Sequence, residues 1–242
     1  MNWAVITGAS GAIGRAISAC LAQRGFSLVL HYHSAEEPMQ KFSFEISRRY
    51  NVDTKILPAD FTSENSTRAF CETLESLKVP LQCLIHCAGG VPSPNSLSRI
   101  TPSDWNTIFS LNATAPFFIT QAALRLFVPN SDIIFISSIS TKYGGGENTL
   151  HYAAAKAAVE SIARGLARRL AAETIKVNVI RAGFILTGAH KKMGRTREDI
   201  QERISKIPLR RVGTPDDISR AVSFLLDSPF VTGSVVEVTG GD

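Results

Sequence analysis

Short apolar runs alternate with stretches in which apolar residues recur every three or four positions, and the alternation continues through most of the chain. The runs at 4–7, 27–32, 54–58, 83–87, 133–137, 176–180 and 235–238 predict strands. They are continuous in Val, Ile and Leu, as expected of strands covered on both faces. Between them, residues 13–24, 35–50, 63–77, 102–127, 151–172 and 215–227 carry helical periodicity. Regular β–α alternation implies right-handed crossovers and a parallel sheet with helices on both sides, a doubly wound α/β sandwich. No repeat, low-complexity tract or linker divides the chain, so 1–242 reads as a single domain. Residues 184–211 break the rhythm. They are polar and basic, include Gly188 and Gly194, predict no strand, and read as a helical insertion or lid over a site.

Composition narrows the function classes. Apolar residues make up 44% and charged residues 19%, ordinary for a soluble globular protein. The net charge of +5 is mild. Basic residues are dispersed except at Arg168-Arg169, Lys191-Lys192 and Arg210-Arg211. No basic stripe is interleaved with aromatics, which argues against nucleic acid as a partner. Cys20, Cys71, Cys83 and Cys87 show no C-x-x-C spacing and no matching histidines, so no metal is expected. Three of the four lie in apolar patterns and read as buried thiols of a reducing compartment. The first residues run straight into a strand, without the basic and apolar regions of a signal peptide. No apolar run approaches the roughly 18 residues of a membrane span. The expectation is a soluble, cytoplasmic protein.

Candidate chemistry begins at the first strand–helix junction, Thr7-Gly8-Ala9-Ser10-Gly11-Ala12-Ile13-Gly14. Glycines there permit a tight turn and close approach of backbone to a pyrophosphate at a helix N-terminus, so a dinucleotide site is expected. The second strand ends in His31-Tyr32-His33-Ser34, with no acid at the strand end and with Glu36 and Glu37 in the following helix. His33 and Ser34 suit a ribose 2′-phosphate, which favours NADP over NAD. Asp60 follows the third strand, either as a helix cap, a role Thr62 or Ser63 serves equally, or as a buried carboxylate near an adenine. His86 reads as a packed strand residue. Asn112 stands inside a helical pattern, where Asn is unfavourable, and implies a local kink. Ser137 and Ser138 end a strong strand and suit hydrogen bonding to a substrate carbonyl. Tyr152 and Lys156 lie four residues apart and share a helix face. A fixed cation lowers the pKa of a neighbouring phenol, which suits the pair to passing a proton to or from a substrate oxygen.

Together these residues resemble the short-chain dehydrogenase/reductase family. The likeness runs through the glycine turn at 7–14, Asp60, Cys87-Ala88-Gly89, Asn112, Ser138, Tyr152-x-x-x-Lys156, Asn178, Gly183, Thr187, Gly233 and Gly240-Gly241. The resemblance implies a Rossmann-type fold with a seven-stranded parallel sheet. It implies Tyr152 as acid/base, Lys156 lowering its pKa and binding the nicotinamide ribose, Ser138 orienting the carbonyl, and Asn112 holding a water in a proton relay. Cofactor contacts are implied at Gly8, Ser10, Gly11, Ile13, Gly14, His33, Ser34, Asp60, Phe61, Cys87, Ala88, Gly89, Gly183, Ile185 and Thr187, besides Tyr152 and Lys156.

Within the family the pattern is closest to 3-oxoacyl-acyl-carrier-protein reductases of fatty acid biosynthesis, at Phe184-Ile185, Thr187, Ile207-Pro208-Leu209, Arg211, Gly213 and Val231-Thr232-Gly233. Such an enzyme takes NADPH and meets an acidic acyl-carrier protein, for which His190, Lys191, Lys192, Arg195 and Arg197 would form a basic entrance. Other small carbonyls, quinones, sugars and pterins are alternatives, and a non-catalytic dinucleotide-binding redox sensor is the alternative of another class. Four departures stand out. His86-Cys87 occupies the position of Asn-Asn; Ala12 varies the glycine turn; Ala182 replaces the proline before Gly183 and is expected to loosen the nicotinamide-side loop; and a longer gap between Ser138 and Tyr152 raises Ser140 as a stand-in. Broad apolar faces on 102–127 (Phe109, Leu111, Phe117, Phe118, Leu124) and 151–172 (Val159, Ile162, Leu166, Leu170) lead to the expectation of a homotetramer.

Overall fold

The computed structural model describes residues 2–91, 94–187 and 196–242. Its seven strands are β1 (Trp3–Thr7), β2 (Ser27–Tyr32), β3 (Thr54–Pro58), β4 (Leu81–His86), β5 (Phe127–Ser138), β6 (Lys176–Ala182) and β7 (Val235–Val238). They form one parallel sheet in the order β3-β2-β1-β4-β5-β6-β7. This is the Rossmann-type sheet expected from the sequence. The strand order reverses between β1 and β4, which opens a crevice at the carboxyl ends of those two strands.

Helices α1 (Ala12–Gln23), α2 (Glu36–Tyr50) and α9 (Pro215–Leu226) cover one face, and α3 (Glu64–Ser76), α5 (Ala115–Ala123) and α7 (Leu150–Leu170) cover the other. Every residue of β1 and β2 is buried. Because neighbouring residues of a strand point to opposite faces, each strand feeds two cores. Val5, Leu84, Ile133 and Phe135 pack with Phe70, Leu74, Ile119 and Val159 on one side. Ile6, Leu28, Ile85 and Ile134 pack with Ile17, Leu21, Met39 and Ile218 on the other. Each fully buried Leu or Ile contributes about 1.5–3 kcal/mol over its exposed state. That is why the strands read as uninterrupted apolar runs.

Helix starts are written in the sequence as capping boxes. Thr101 with Asp104 caps α4 (Pro102–Phe109), Thr196 with Asp199 caps α8 (Arg197–Lys206), and Thr214 with Asp217 caps α9; Ser63 caps α3. The start of α1 differs. Its N-cap is Gly11, no side chain caps it, and no acid lies in its first turn.

Two boundaries differ from expectation. The helix predicted over 102–127 is divided by a π-helical turn, Ser110–Thr114, and closes in a 3₁₀ turn, Leu124–Leu126. Strand β5 starts at Phe127 rather than near 133; its first half carries exposed Pro129 and Asn130, which hid it from an apolar-run criterion. Within 184–211 the described residues include α8 and a parallel bridge between Ile185 and Gly213. The basic residues His190, Lys191, Lys192 and Arg195, and the side chain of Arg197, fall outside the described residues. Of the cysteines only Cys83 is fully buried; Cys20, Cys71 and Cys87 are partly exposed free thiols, against the expectation of three buried ones. Among the described residues no helix is long and apolar enough to cross a membrane.

Candidate active site

The glycine turn leaves β1 and enters α1 at the crevice between β1 and β4. Gly8 adopts φ +68°, and a Cβ there would sit 2.8 Å from the Ala88 backbone. At Gly14 a Cβ would sit 2.2 Å from the Gly8 carbonyl oxygen. Neither position admits a side chain. Thr7 fastens this turn to the loop after β4: its Oγ1 accepts from the Cys87 and Ala88 amides at 3.1 and 3.0 Å. An uncapped helix start without a nearby acid, behind a turn that only glycine can make, fits a diphosphate.

The end of β2, where contacts to a ribose 2′-phosphate are expected, is built differently from expectation. His33 and Ser34 are exposed at the end of β2. The acid absent from β2 arrives from the end of β3: Asp60 Oδ2 stands 3.8 Å from His33 Nε2. Asp60 is neither buried nor the cap of α3. Its Oδ1 accepts from the Thr62 amide (2.9 Å) and hydroxyl (2.7 Å), and these bonds hold the carboxyl below its ordinary pKa against the opposing effect of burial. Phe61 turns its ring inward, stacked on His31 at 4.0 Å and edge-on to Phe70 at 5.2 Å, and is buried.

Farther along the crevice a cavity of about 670 Å³ is bordered by Ile13, Cys87, Gly89, Ser138, Ser140, Tyr152, Lys156, Gly183, Ile185 and Thr187. Tyr143, Phe184 and Val91 complete an apolar wall. Tyr152 and Lys156 lie on α7, one turn apart as the spacing predicts, with the Lys156 Nζ 5.8 Å from the Tyr152 ring centre. Ser138 stands beside the phenol and acts to lower its pKa. Ser140 begins the short helix α6 (Ser140–Tyr143); its amide donates to Ser138 Oγ at 3.2 Å and its hydroxyl accepts from Ser138 Oγ at 3.1 Å, so the two serines stand side by side in the cavity wall, with Ser138 the one that acts on the Tyr152 phenol. The longer gap before Tyr152 is taken up by α6 and the Gly144–Gly146 turn, and it places Tyr143 in the cavity wall.

The electrostatics depart from one expectation. Burial pushes the Tyr152 phenol above its ordinary pKa, outweighing the effect of Ser138. Lys156 does not reverse this. Its ammonium donates to the Ile136 carbonyl at 2.9 Å, and burial lowers its own pKa to about 8. In the protein alone, Tyr152 therefore holds its proton at neutral pH.

Asn112 is fully buried in the π-helical turn, which is the kink its position implied. Its Oδ1 accepts from the Gly90 amide (3.0 Å), and its Nδ2 donates to the carbonyls of Gly90 (2.9 Å) and Ile108 (3.0 Å). A Cβ on Gly89 would fall 2.8 Å from Asn112 Oδ1 and 2.9 Å from Lys156 Nζ, so this glycine lets both groups border the same space. Gly183 contradicts the expectation of a loosened loop. Its amide donates to the Val238 carbonyl at 2.9 Å, and a Cβ would sit 2.6 Å from Thr239 Cα. Ladder bonding to β7 fixes this segment without the proline. His86 is packed as expected, stacked on Phe135 and bonded to Thr120 Oγ1 at 2.8 Å.

Two groups of residues were not legible beforehand. Buried Glu160, two turns beyond Tyr152 on α7, accepts from Ser137 Oγ (2.8 Å), Thr141 Oγ1 (3.1 Å) and Arg181 Nε (3.0 Å). Arg181 and Glu237 are register partners on β6 and β7, and Glu237 also pairs with Lys142 at 2.9 Å. Buried His31 lies beneath the glycine turn. Neither group had a local signal, because the partners are brought together only by the sheet. Among the described residues no cluster of His, Cys, Asp and Glu is arranged to hold a metal.

Residues 8–242 match a family model described as enoyl-(acyl carrier protein) reductase. The chain is similar to the hydroxynaphthalene reductase-like protein Arp2 of Metarhizium brunneum, 35% identical and covering 98% of this chain and 93% of that one. It is also similar to the uncharacterized oxidoreductase YgfF of Escherichia coli K12, 30% identical over the full length of both. A blue fluorescent protein from a metagenomic library, solved in complex with NADPH, superposes with a TM-score of 0.90 at 29% identity, covering 99% of this chain and 97% of that one. With the fold, the glycine turn and the Ser138–Tyr152–Lys156 grouping in place, the chain belongs to the short-chain dehydrogenase/reductase family.

Proposed function

We propose that this protein is an NADPH-dependent carbonyl reductase that converts a ketone to an alcohol. The observation that carries the reading is the convergence of Ser138, Tyr152 and Lys156 on one cavity at the switch point of the sheet. The glycine turn and the uncapped α1 start bind the diphosphate, and Gly183, Ile185 and Thr187 border the nicotinamide end. The nicotinamide, when bound, supplies the hydride. Ser138 donates to the substrate carbonyl oxygen and orients it. Tyr152, kept protonated by burial, gives its proton to that oxygen as negative charge develops there. Lys156, held at the Ile136 carbonyl, steadies the phenolate left behind and reaches the ribose. Asn112 joins the proton relay through the unused lone pair on Oδ1. NADP is favoured over NAD by His33 at the end of β2 and by the NADPH bound in the structural relative.

For the substrate, a 3-oxoacyl thioester of fatty acid biosynthesis is the first reading, in a cytoplasmic homotetramer of single-domain chains with 184–211 as lid. A ketone on an aromatic ring system is the second. It is favoured by the Tyr143 and Phe184 walls and by a relative named as hydroxynaphthalene reductase-like. NADPH oxidation measured with acetoacetyl thioesters, tetralone-type ketones, quinones, sugars and pterins discriminates among these. Tyr152→Phe is expected to cut turnover of the best substrate by about 10²–10⁴-fold while retaining cofactor binding. Near-normal turnover by that variant, or the absence of any carbonyl turnover by the wild type, would overturn the reading.

A further inference from the structure

His31 sits beneath the dinucleotide site with both ring nitrogens engaged. The Gly8 amide donates to Nδ1 at 2.9 Å, and Nε2 lies 3.1 Å from the Ala59 carbonyl oxygen. An amide can only donate, so Nδ1 must accept. A carbonyl can only accept, so Nε2 must carry the proton. The ring is therefore neutral, in one tautomer. It lies 3% exposed, stacked on Phe61 at 4.0 Å and edge-on to Phe70 at 5.4 Å. The two backbone groups it ties belong to different parts of the site. Gly8 opens the glycine turn that precedes α1, with φ +68°, and Ala59 immediately precedes Asp60 and Phe61 at the end of β3. The backbone adds a further tie, since the Ala9 amide donates to the His31 carbonyl at 2.8 Å.

We infer that His31 is a positioning residue for the cofactor: one imidazole sets the spacing between the pyrophosphate turn and the adenosine-side segment by bridging Gly8 and Ala59. The inference rests on dinucleotide binding at the glycine turn. Without the bridge, the half-buried Gly8 amide loses its partner, and the turn gives up its fixed conformation to recover one. The cost falls on binding, because the site must then be ordered by the cofactor itself. The reacting atoms, at Tyr152 and Ser138, are held by other elements and keep their geometry.

The test compares three proteins by NADPH fluorescence titration, steady-state kinetics and thermal unfolding. His31→Phe keeps the stacking ring and removes both bonds. His31→Asn places Oδ1 where Nδ1 stands, restoring the acceptor for Gly8 without the reach to Ala59. Expected are an NADPH Kd and KM about tenfold higher in His31→Phe, with kcat at saturating cofactor within about twofold of wild type, and an Asn variant recovering to within about threefold. A tenfold change corresponds to about 1.4 kcal/mol. In the wild type, nitrogen NMR should find the His31 proton on Nε2, and amide exchange should find Gly8 protected; this pair of measurements carries the test if His31→Phe does not fold. A folded His31→Phe that binds NADPH like wild type, an Asn variant no better than Phe, or a wild-type proton on Nδ1 would overturn the inference. A wild-type chain that binds no dinucleotide would overturn the underlying reading along with it.

Discussion

At the scale of single residues, Tyr152 and Lys156 were legible because their relation is local: four positions on one helix fix a shared face whatever surrounds them. What the spacing could not supply was the depth of the site, and depth sets the direction of both pKa values. Burial moves the phenol up and the ammonium down, the latter to about 8. The sign of the resulting pH dependence follows. Below about pH 8 Lys156 is charged and Tyr152 holds its proton, the state a reductase needs. As pH rises through about 8 the ammonium is lost first, and with it the charge that steadies the phenolate. The kcat/KM for carbonyl reduction is therefore expected to fall on the alkaline side with an apparent pKa near 8, and Lys156→Met should flatten that limb while lowering the plateau. A profile level to pH 10 would show that Lys156 does not act through its charge. His31 was read past in the same sequence because its partners, Gly8 and Ala59, lie 23 and 28 residues away. No periodicity within β2 distinguishes a bridging histidine from a packed one.

At the scale of elements, the sheet and its covering helices were legible from continuous apolar runs and 3.6-residue periods, and the capping boxes marked several helix starts. The π-helical turn at Ser110–Thr114 was legible only as the oddity of Asn112. The Glu160 group was not legible, because it joins α7, the end of β5, α6, β6 and β7. Burial alone would raise the Glu160 pKa; the bonds from Arg181, Ser137 and Thr141 outweigh it and hold the carboxyl below its ordinary value. The group ties the helix carrying Tyr152 and Lys156 to the strand end carrying Ser138. Glu160→Gln removes the charge and leaves Arg181 half-paired in a mostly buried position, where breaking an ion pair costs about 3–5 kcal/mol at most. We expect a lower melting temperature together with a kcat reduced about tenfold and an unchanged NADPH Kd, because the glycine turn and β2 take no part in the group. A loss of stability with normal kcat would make the group structural only. The sign with pH is that of a depressed carboxylate: its stabilisation is present above the unfolded pKa of about 4.3 and is lost as pH falls below it.

At the scale of the whole molecule, the surface left by one chain is asymmetric. The apolar face expected on α7 is largely consumed within the chain: Val159 and Leu170 are buried, and Ile162 and Leu166 pack against the same core. The face on α4 and α5 is different. Trp105, Phe117 and Phe118 remain 39%, 38% and 47% exposed, with Trp105 stacked on Phe109 at 4.9 Å and Phe117 edge-on to Phe118 at 5.3 Å. Exposed large rings carried by neighbouring helices mark an interaction surface more often than scattered single ones do. A face repeated on identical chains is satisfied most simply by a two-fold axis. Of the face expected on 102–127, Phe109, Leu111 and Leu124 also pack against the core, and Phe117 and Phe118 remain open. Between α4 and α5 lies the π-helical turn that holds Asn112, so this surface and the candidate site share one helical stretch. Phe118→Glu, placed on a half-exposed ring, is therefore expected to lower the mass measured by light scattering at micromolar concentration. It should also reduce kcat several-fold while leaving the melting temperature of the dissociated chain cooperative. A wild-type mass of one chain would rule out the assembly. A dissociated Phe118→Glu variant with full kcat would separate the assembly from the chemistry and place the whole burden of orienting Asn112 on its bonds to Gly90 and Ile108.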